Sequence, residues 1–127
     1  MQPKESLYPK DWFETAARDF KRAKLLFRSS DCEGAGFHLQ QAVEKYLKGY
    51  LLSSGWRLKR IHDLEALLNA AIVYDAGFER FRSLCIKVTT YYIEERYPVL
   101  VKSSIETKNL EDEIKQALLL VKFITGK

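Results

Sequence analysis

A polar stripe on one predicted helix carries the residue types that could do chemistry. The stretch GFHLQQAVEKYLKGYL, residues 36–51, contains one of the two histidines of the chain. His38, Gln41, Lys45 and Lys48 follow each other at steps of three and four residues, which places them on one side of an α-helix. Such imidazole, amide and ammonium groups can donate hydrogen bonds to a phosphate or a nucleobase. The stripe is either such a working surface or the solvated side of a packed helix.

Several positions in the stripe also have simpler explanations. His38 borders the apolar face of the helix, where a histidine that is hydrogen-bonded to a neighbouring helix is equally expected. Glu44 and Lys48 have the i, i+4 order that stabilises an exposed helix. Lys45 has no acidic residue one turn away on either side, so it is the better candidate for an anion contact.

The segment WRLKRIH, residues 56–62, contains three cations and no acidic residue. It combines cations with an aromatic ring, a combination that holds phosphates and stacks bases. The functional interpretation of this segment is a phosphate-binding loop that includes Arg57 and His62. The alternatives are a solvated loop and a histidine that helps to cap the next helix.

A further arginine and tyrosine lie at the predicted end of the fourth helix. Arg96 complements the negative end of the helix dipole, which explains it without a ligand. Arg96 and Tyr97 join the candidate site if that helix end lies beside the basic loop. The predicted nucleotide- or RNA-binding residues are His38, Gln41, Lys45, Arg57, His62, Arg96 and Tyr97.

Other kinds of site have little support in the sequence. Cys32 and Cys85 have no metal or redox spacing, so we expect no metal site and no cofactor. The six glycines fit no phosphate-binding loop. Reduced thiols, short apolar runs and an N-terminus without a signal-like stretch favour a cytoplasmic protein that does not span a membrane.

Apolar residues recur at helical spacing and predict an all-α fold. The predicted helices span about residues 11–29, 34–53, a third segment between Asp63 and Gly77, 78–96, and a fifth from Thr107 or Asn109 onward. Asp11 and Asp63 are the expected N-caps of the first and third helices, and Gly55 suits the position after the second. Pro98 is expected to end the fourth helix.

These helices predict one domain over residues 1–127, with a core from about 11 to 125. We expect an up-and-down four-helix bundle with a fifth helix and antiparallel neighbours. The chain is 46% hydrophobic and 30% charged, as is usual for a globular domain. Residues 1–62 contain 12 Lys and Arg against 7 Asp and Glu, a mild excess of +5, which permits a polyanionic partner.

The fifth predicted helix has an unusually wide apolar arc. Its expected core positions are Leu110, Ile114, Ala117, Leu118 and Val121. Leu119, Leu120 and Phe123 lie outside that stripe, which predicts a homodimer interface there. The alternative is that residues 97–106 of the same chain cover them.

Three blocks in a fixed order carry a family resemblance. FHLQQAVEKYLKGYL, then HDLEALL, then YYIEERYP resemble the HEPN family, the higher-eukaryote and prokaryote nucleotide-binding domain. The resemblance covers roughly residues 11–125 and implies an all-α bundle that usually dimerises. Small prokaryotic members often accompany a minimal nucleotidyltransferase, and some of those pairs are toxin–antitoxin systems.

Other members of that family are metal-independent ribonucleases. They use an arginine and a histidine that are four to six residues apart, late in the bundle. Here the late arginine is Arg96, and Val101, Lys102 and Ser103 stand where the histidine is needed. The prediction is therefore a non-catalytic binding module that partners a nucleotidyltransferase, and the alternative is a ribonuclease that uses Arg57 and His62.

Overall fold

The structure is a computed structural model that describes residues 6–92 and 107–127. Within those residues the chain forms α-helices and one 3-10 helix and has no strand, which confirms the all-α prediction. The elements are α1 (Pro9–Arg28), α2 (Cys32–Ser53), α3 (Leu64–Tyr74), a 3-10 helix (Ala76–Phe81), α4 (Arg82–Val88) and α5 (Thr107–Thr125). No helix in the described ranges is long and apolar enough to cross a membrane.

Helices α1 and α2 form an antiparallel hairpin. Trp12 near the start of α1 lies beside Lys48 near the end of α2, and Asp19 further along α1 binds His38 in the first half of α2. The two helices approach closely at Gly49, because a Cβ there would lie 2.7 Å from the ring of Phe13. This close approach brings polar side chains of both helices into contact.

Helix α2 is the centre of the bundle and packs against each of the other four α-helices. Twelve of its 22 residues are buried, and they include the polar Gln40, Glu44 and Lys48. The core also contains Trp12 and Phe78, both at most 1% exposed. Of the polar stripe, Lys48 is therefore inside the molecule, whereas His38, Gln41 and Lys45 are partly buried.

The connection between α2 and α3 runs back along α2. Gly55 has a positive φ of 99° just after the helix end, as the sequence predicted. The chain then turns so that Gln40 Nε2 donates to the carbonyl oxygen of His62 at 3.2 Å. Asp63 caps α3 by accepting from Glu65 N at 3.0 Å, which confirms the predicted cap. The connection thus places His62 beside the middle of α2.

Two helix starts differ from the predictions. Helix α1 begins at Pro9, which is favourable in a first turn, and Asp11 accepts from Ser6 Oγ at 2.6 Å, so its prediction as an N-cap was wrong. Before α4 the chain forms the 3-10 helix, where three residues per turn bring Phe78 and Phe81 to the same buried side. Helix α4 therefore begins at Arg82, and its predicted end at Pro98 lies outside the described residues.

Helix α5 spans Thr107–Thr125, and its core stripe has a different phase from the predicted one. The buried positions are Leu110, Glu113, Ala117, Leu120 and Ile124. A carboxylate occupies a core position because Tyr91 Oη donates to Glu113 Oε1 at 2.5 Å. Glu113 interrupts the apolar pattern, which is why the sequence pointed to the neighbouring stripe.

This phase changes the predicted dimer surface. Leu120 is 1% exposed and belongs to the core, so its assignment outside the core stripe was wrong. Phe123 packs edge-on against Phe78, with ring centroids 4.9 Å apart. Leu119 is 49% exposed, and the neighbouring Leu118, which was expected in the core, is 40% exposed. The homodimer stays a prediction, and these two leucines are its exposed apolar residues on α5.

Candidate functional site

Two buried carboxylates divide the predicted polar stripe into two clusters. Asp19 of α1 is 3% exposed and Glu44 of α2 is 4% exposed. Each carboxylate binds one histidine and one lysine, and Asp19 also has Arg22 of α1 at 3.8 Å. We call them the Asp19 cluster (Asp19, His38, Lys45) and the Glu44 cluster (Glu44, Lys48, His62).

The Asp19 cluster ties α1 to α2. Lys45 Nζ donates to Asp19 Oδ2 at 2.5 Å, and His38 Nδ1 lies 3.0 Å from Asp19 Oδ1. The prediction that Lys45 is the unpaired cation of the stripe was therefore wrong, because its partner comes from another helix and not from one turn away. His38 agrees with the interpretation of a boundary histidine bonded to a neighbouring helix.

The Glu44 cluster is more deeply buried on its lysine side. Lys48 Nζ donates to Glu44 Oε2 at 2.9 Å, which confirms the i, i+4 pairing, but Lys48 is only 2% exposed. The expectation of an exposed pair was thus wrong. Gln40 Nε2 donates to the same carboxylate at 3.1 Å, and the ammonium lies 5.5 Å from the centroid of the Trp12 ring. Such contacts compensate for the desolvation of a buried ion pair.

His62 is the exposed member of the Glu44 cluster. Its Nδ1 lies 3.2 Å from each carboxylate oxygen of Glu44, and its ring stacks on Tyr92 with centroids 4.8 Å apart. The side chain is nevertheless 49% exposed. Because Asp63 caps α3, the alternative of His62 as that cap was wrong. Within the described part of the chain, Nε2 has no hydrogen-bond partner, so it is the ring atom that a ligand can reach.

The loop before His62 presents cations to solvent. Arg57, Lys59 and Arg60 are exposed, and none of their side chains forms an ion pair or a hydrogen bond within residues 6–92 and 107–127. Trp56 and Ile61 are partly buried and pack against the core. The apolar residues thus anchor the loop, and its three cations are exposed to solvent.

The comparisons with known proteins agree with this architecture. The model of the HEPN domain matches residues 9–126, which is nearly the whole chain. The chain belongs to the HEPN domain family. The family resemblance that the three sequence blocks carried is thereby confirmed.

Two solved structures resemble this HEPN protein. TT1696 from Thermus thermophilus is 26% identical with a TM-score of 0.80, and the alignment covers 93% of this chain and 96% of that one. ST0689, an archaeal HEPN homologue, is 24% identical with a TM-score of 0.74, over 94% and 96% of the two chains. The second likeness concerns the fold alone. No curated protein matches this sequence.

The predicted site residues of this HEPN protein do not form one group. His38 and Lys45 meet at Asp19, whereas His62 is held by Glu44. Gln41 connects to the second cluster indirectly, since its Nε2 donates to Gln40 Oε1 at 2.7 Å. Arg57 is exposed on the basic loop, and Arg96 and Tyr97 lie outside the described residues.

The sequence analysis missed Asp19, and it named Glu44 only as the partner of Lys48 in an exposed pair. Asp19 lies three residues after Ala16 and four before Ala23, so its spacing already placed it towards the apolar face of α1. Glu44 likewise falls between the buried Val43 and Tyr46. A charged residue in an apolar stripe was the available signal, because a buried charge needs partners.

The cavities that described residues line do not include any residue of these two clusters. A cavity of about 320 Å³ between α4 and α5 is lined by Lys87, Thr90, Tyr91, Asn109, Asp112 and Glu113, none of which was a predicted binding residue. Burial raises the pKa of Cys85 to about 12, so this thiol stays protonated at neutral pH. The described residues contain no group of three or more His, Cys, Asp or Glu that could hold a metal.

Proposed function

We propose that this HEPN protein is a non-catalytic binding module that holds a nucleotide or RNA by its phosphates. One observation carries the proposal: Arg57, Lys59 and Arg60 are exposed beside His62 and have no carboxylate partner among the described residues. Arginine and lysine side chains that keep their charge and reach solvent are the usual phosphate contacts of nucleic-acid-binding proteins.

The stripe of α2 is a weaker candidate for the phosphate contact. A phosphate at Lys45 would have to compete with Asp19, which already accepts from that ammonium at 2.5 Å. Lys48 is buried against Glu44 and cannot reach a ligand without unfolding part of the cluster. The proposed ligand surface is therefore the basic loop, residues 56–61, together with His62.

The phosphate contact is tested by comparing two charge-matched variants. Arg57→Ala/Arg60→Ala removes two loop cations, and Arg18→Ala/Lys21→Ala removes two exposed cations of α1. For single-stranded RNA, each lost phosphate contact lowers the slope of log affinity against log salt by about 0.7. We expect a decrease of about 1.4 for the loop variant and little change for the control. Equal effects of the two variants would contradict a site on the loop.

The partner part of the proposal concerns assembly. We expect a homodimer through Leu118 and Leu119, and a complex with a nucleotidyltransferase encoded beside it, as in toxin–antitoxin-like pairs. Leu119→Glu should give a monomer in sedimentation velocity, whereas Val73→Glu, at an exposed position on α3, should not. A wild-type monomer at micromolar concentration would contradict the dimer, and failure to copurify with that nucleotidyltransferase would contradict the complex.

One observation favours a second function, a metal-independent ribonuclease that uses Arg57 and His62. A buried carboxylate holds one ring nitrogen of His62 and leaves the other one open, an arrangement that suits a general acid or base. Arg57 would then stabilise the developing phosphate charge. Incubation with single-stranded RNA in EDTA distinguishes the two functions. Cleavage that disappears in His62→Ala would favour the ribonuclease, and intact RNA would exclude it for that substrate.

A further inference from the structure

We infer that Glu44 is a positioning residue that fixes His62 as the tautomer with its proton on Nδ1. The ring then presents Nε2 as a hydrogen-bond acceptor, and the ligand needs a hydroxyl donor next to the phosphate that the loop binds. The ligand part of this inference rests on the proposed function, whereas the tautomer part does not.

The tautomer follows from the chemistry of the carboxylate. An ionised carboxylate only accepts hydrogen bonds, so the Nδ1 that lies 3.2 Å from both oxygens of Glu44 must carry the proton. Lys48 already balances the charge of Glu44 at 2.9 Å. In the neutral imidazole the Nδ1 proton is the only one on the ring nitrogens, so Nε2 keeps a free lone pair.

Two further contacts hold the ring in this orientation. Tyr92 stacks on the imidazole with an interplanar angle of 11°. Gln40 links the histidine backbone to the carboxylate, because its Nε2 donates both to the carbonyl oxygen of His62 and to Glu44 Oε1. These contacts thus fix the orientation of the imidazole ring, while the His62 side chain stays 49% exposed.

The consequence is a choice among ligands. Phosphate oxygens accept hydrogen bonds, so a neutral His62 with a free Nε2 lone pair does not bind them directly. A ribose 2′-hydroxyl can donate to Nε2, and it lies beside a phosphate in RNA. Arg57, Lys59 and Arg60 on the same loop supply the phosphate contacts. The expected ligand is therefore a ribonucleotide chain with a free hydroxyl.

The tautomer is measured by the ¹⁵N shifts of the imidazole nitrogens, for which the chain offers only two histidines. We expect Nδ1 of His62 to be protonated and Nε2 to be unprotonated. Glu44→Leu/Lys48→Met removes the buried pair together and should yield a mixture of tautomers. Asp19→Leu/Lys45→Met is the matched control and should leave His62 unchanged. An unprotonated Nδ1 in the wild type, or no change in the first variant, would overturn the role of Glu44.

The hydroxyl is tested with single-stranded RNA and its 2′-O-methyl analogue, which keeps the phosphates and loses the donor. We expect the wild type to bind RNA about fivefold more tightly, the effect of one neutral hydrogen bond. This preference should disappear in His62→Ala and in Glu44→Leu/Lys48→Met, and remain in the Asp19 control. Equal binding of both strands overturns the ligand part.

The outcomes separate this inference from the proposed function. If neither strand binds, the proposed function fails and the ligand part fails with it, whereas the ¹⁵N shifts still decide the role of Glu44. If both strands bind equally and the loop arginines matter, the proposed function survives and only the hydroxyl contact is wrong.

Discussion

The two clusters on α2 contain the same chemical groups in different surroundings. In the Asp19 cluster the histidine and the lysine both come from α2 and are partly exposed, with His38 at 25% and Lys45 at 18%, and the exposed Arg22 of α1 lies 3.8 Å from the same carboxylate. In the Glu44 cluster the lysine side chain is 3% exposed and the histidine is 49% exposed. The first arrangement connects two helices, whereas the second supports an exposed imidazole from beneath.

The origin of each histidine explains the difference. His38 lies on α2, and the antiparallel packing of α1 turns it towards Asp19 between the helices. His62 comes from the connection before α3, which crosses the surface above Glu44. A residue of a surface loop can bind a buried group with one atom while other atoms of its side chain stay in contact with solvent. The same three groups therefore have a structural role in one place and a candidate binding role in the other.

The largest expected effect compares the two carboxylates directly. Glu44→Leu leaves Lys48 buried without a counter-charge and should lower the free energy of unfolding by about 3–5 kcal/mol. Asp19→Leu should lower it by about 1–2 kcal/mol, because Lys45 and His38 can turn to water. Urea unfolding with an unchanged m-value measures both. Similar losses in the two variants would show that the deeper burial of Lys48 does not make its unpaired charge more costly than that of Lys45.

A smaller effect is expected when each ion pair is removed as a whole. Glu44→Leu/Lys48→Met replaces two buried charges with apolar side chains. Its free energy of unfolding should lie within about 1 kcal/mol of that of the wild type. Asp19→Leu/Lys45→Met should behave similarly. A loss in the first double variant as large as in Glu44→Leu alone would mean that the cluster stabilises the fold through more than charge pairing.

A third buried carboxylate sharpens the comparison, because Glu113 accepts from a tyrosine hydroxyl and not from a cation. Burial raises the pKa of Glu113 above 4.5, with the Tyr91 hydrogen bond acting in the opposite direction. The protonated form is thus favoured in the folded state, and its contribution to stability is lost as the pH rises through the folded pKa. The difference in the free energy of unfolding between Glu113→Gln and the wild type should therefore favour the variant more at neutral pH than below pH 4.5.

The control for that measurement is on the same helix. Glu111 is exposed and, among residues 6–92 and 107–127, pairs only with Lys115, so Glu111→Gln should show no such pH-dependent gain. Urea midpoints at both pH values give the comparison. Parallel behaviour of the two variants would argue against the burial of Glu113.

The smallest expected effect concerns the loop. Arg57→Ala/Arg60→Ala should change the free energy of unfolding by no more than about 0.5 kcal/mol, since both side chains are exposed and make no ion pair with a described residue. The same variant is the one expected to weaken RNA binding. A loss of stability comparable to that of Asp19→Leu would assign the loop cations a structural role.

Much of the helical framework followed from local patterns. The spacing of Phe13, Phe20 and Phe27 placed α1, and Asp63 and Gly55 marked ends that depend only on nearby backbone groups. The predictions failed where a polar side chain entered an apolar stripe. Glu113 hid the true face of α5, because the sequence does not show that Tyr91 will donate a hydrogen bond to it.

By itself, the amino-acid sequence determined the all-α class, the family, and the presence of cations and two histidines in suggestive positions. Only the tertiary structure decided which of those groups are paired. Lys45 was expected to be the available cation, and Asp19, 26 residues away, neutralises it. His62 was predicted to bind a ligand, with a role in capping α3 as the alternative, and Glu44, 18 residues away, holds its ring. Ion pairs of this kind depend on distances across helices, which the spacing of residues along one helix does not specify.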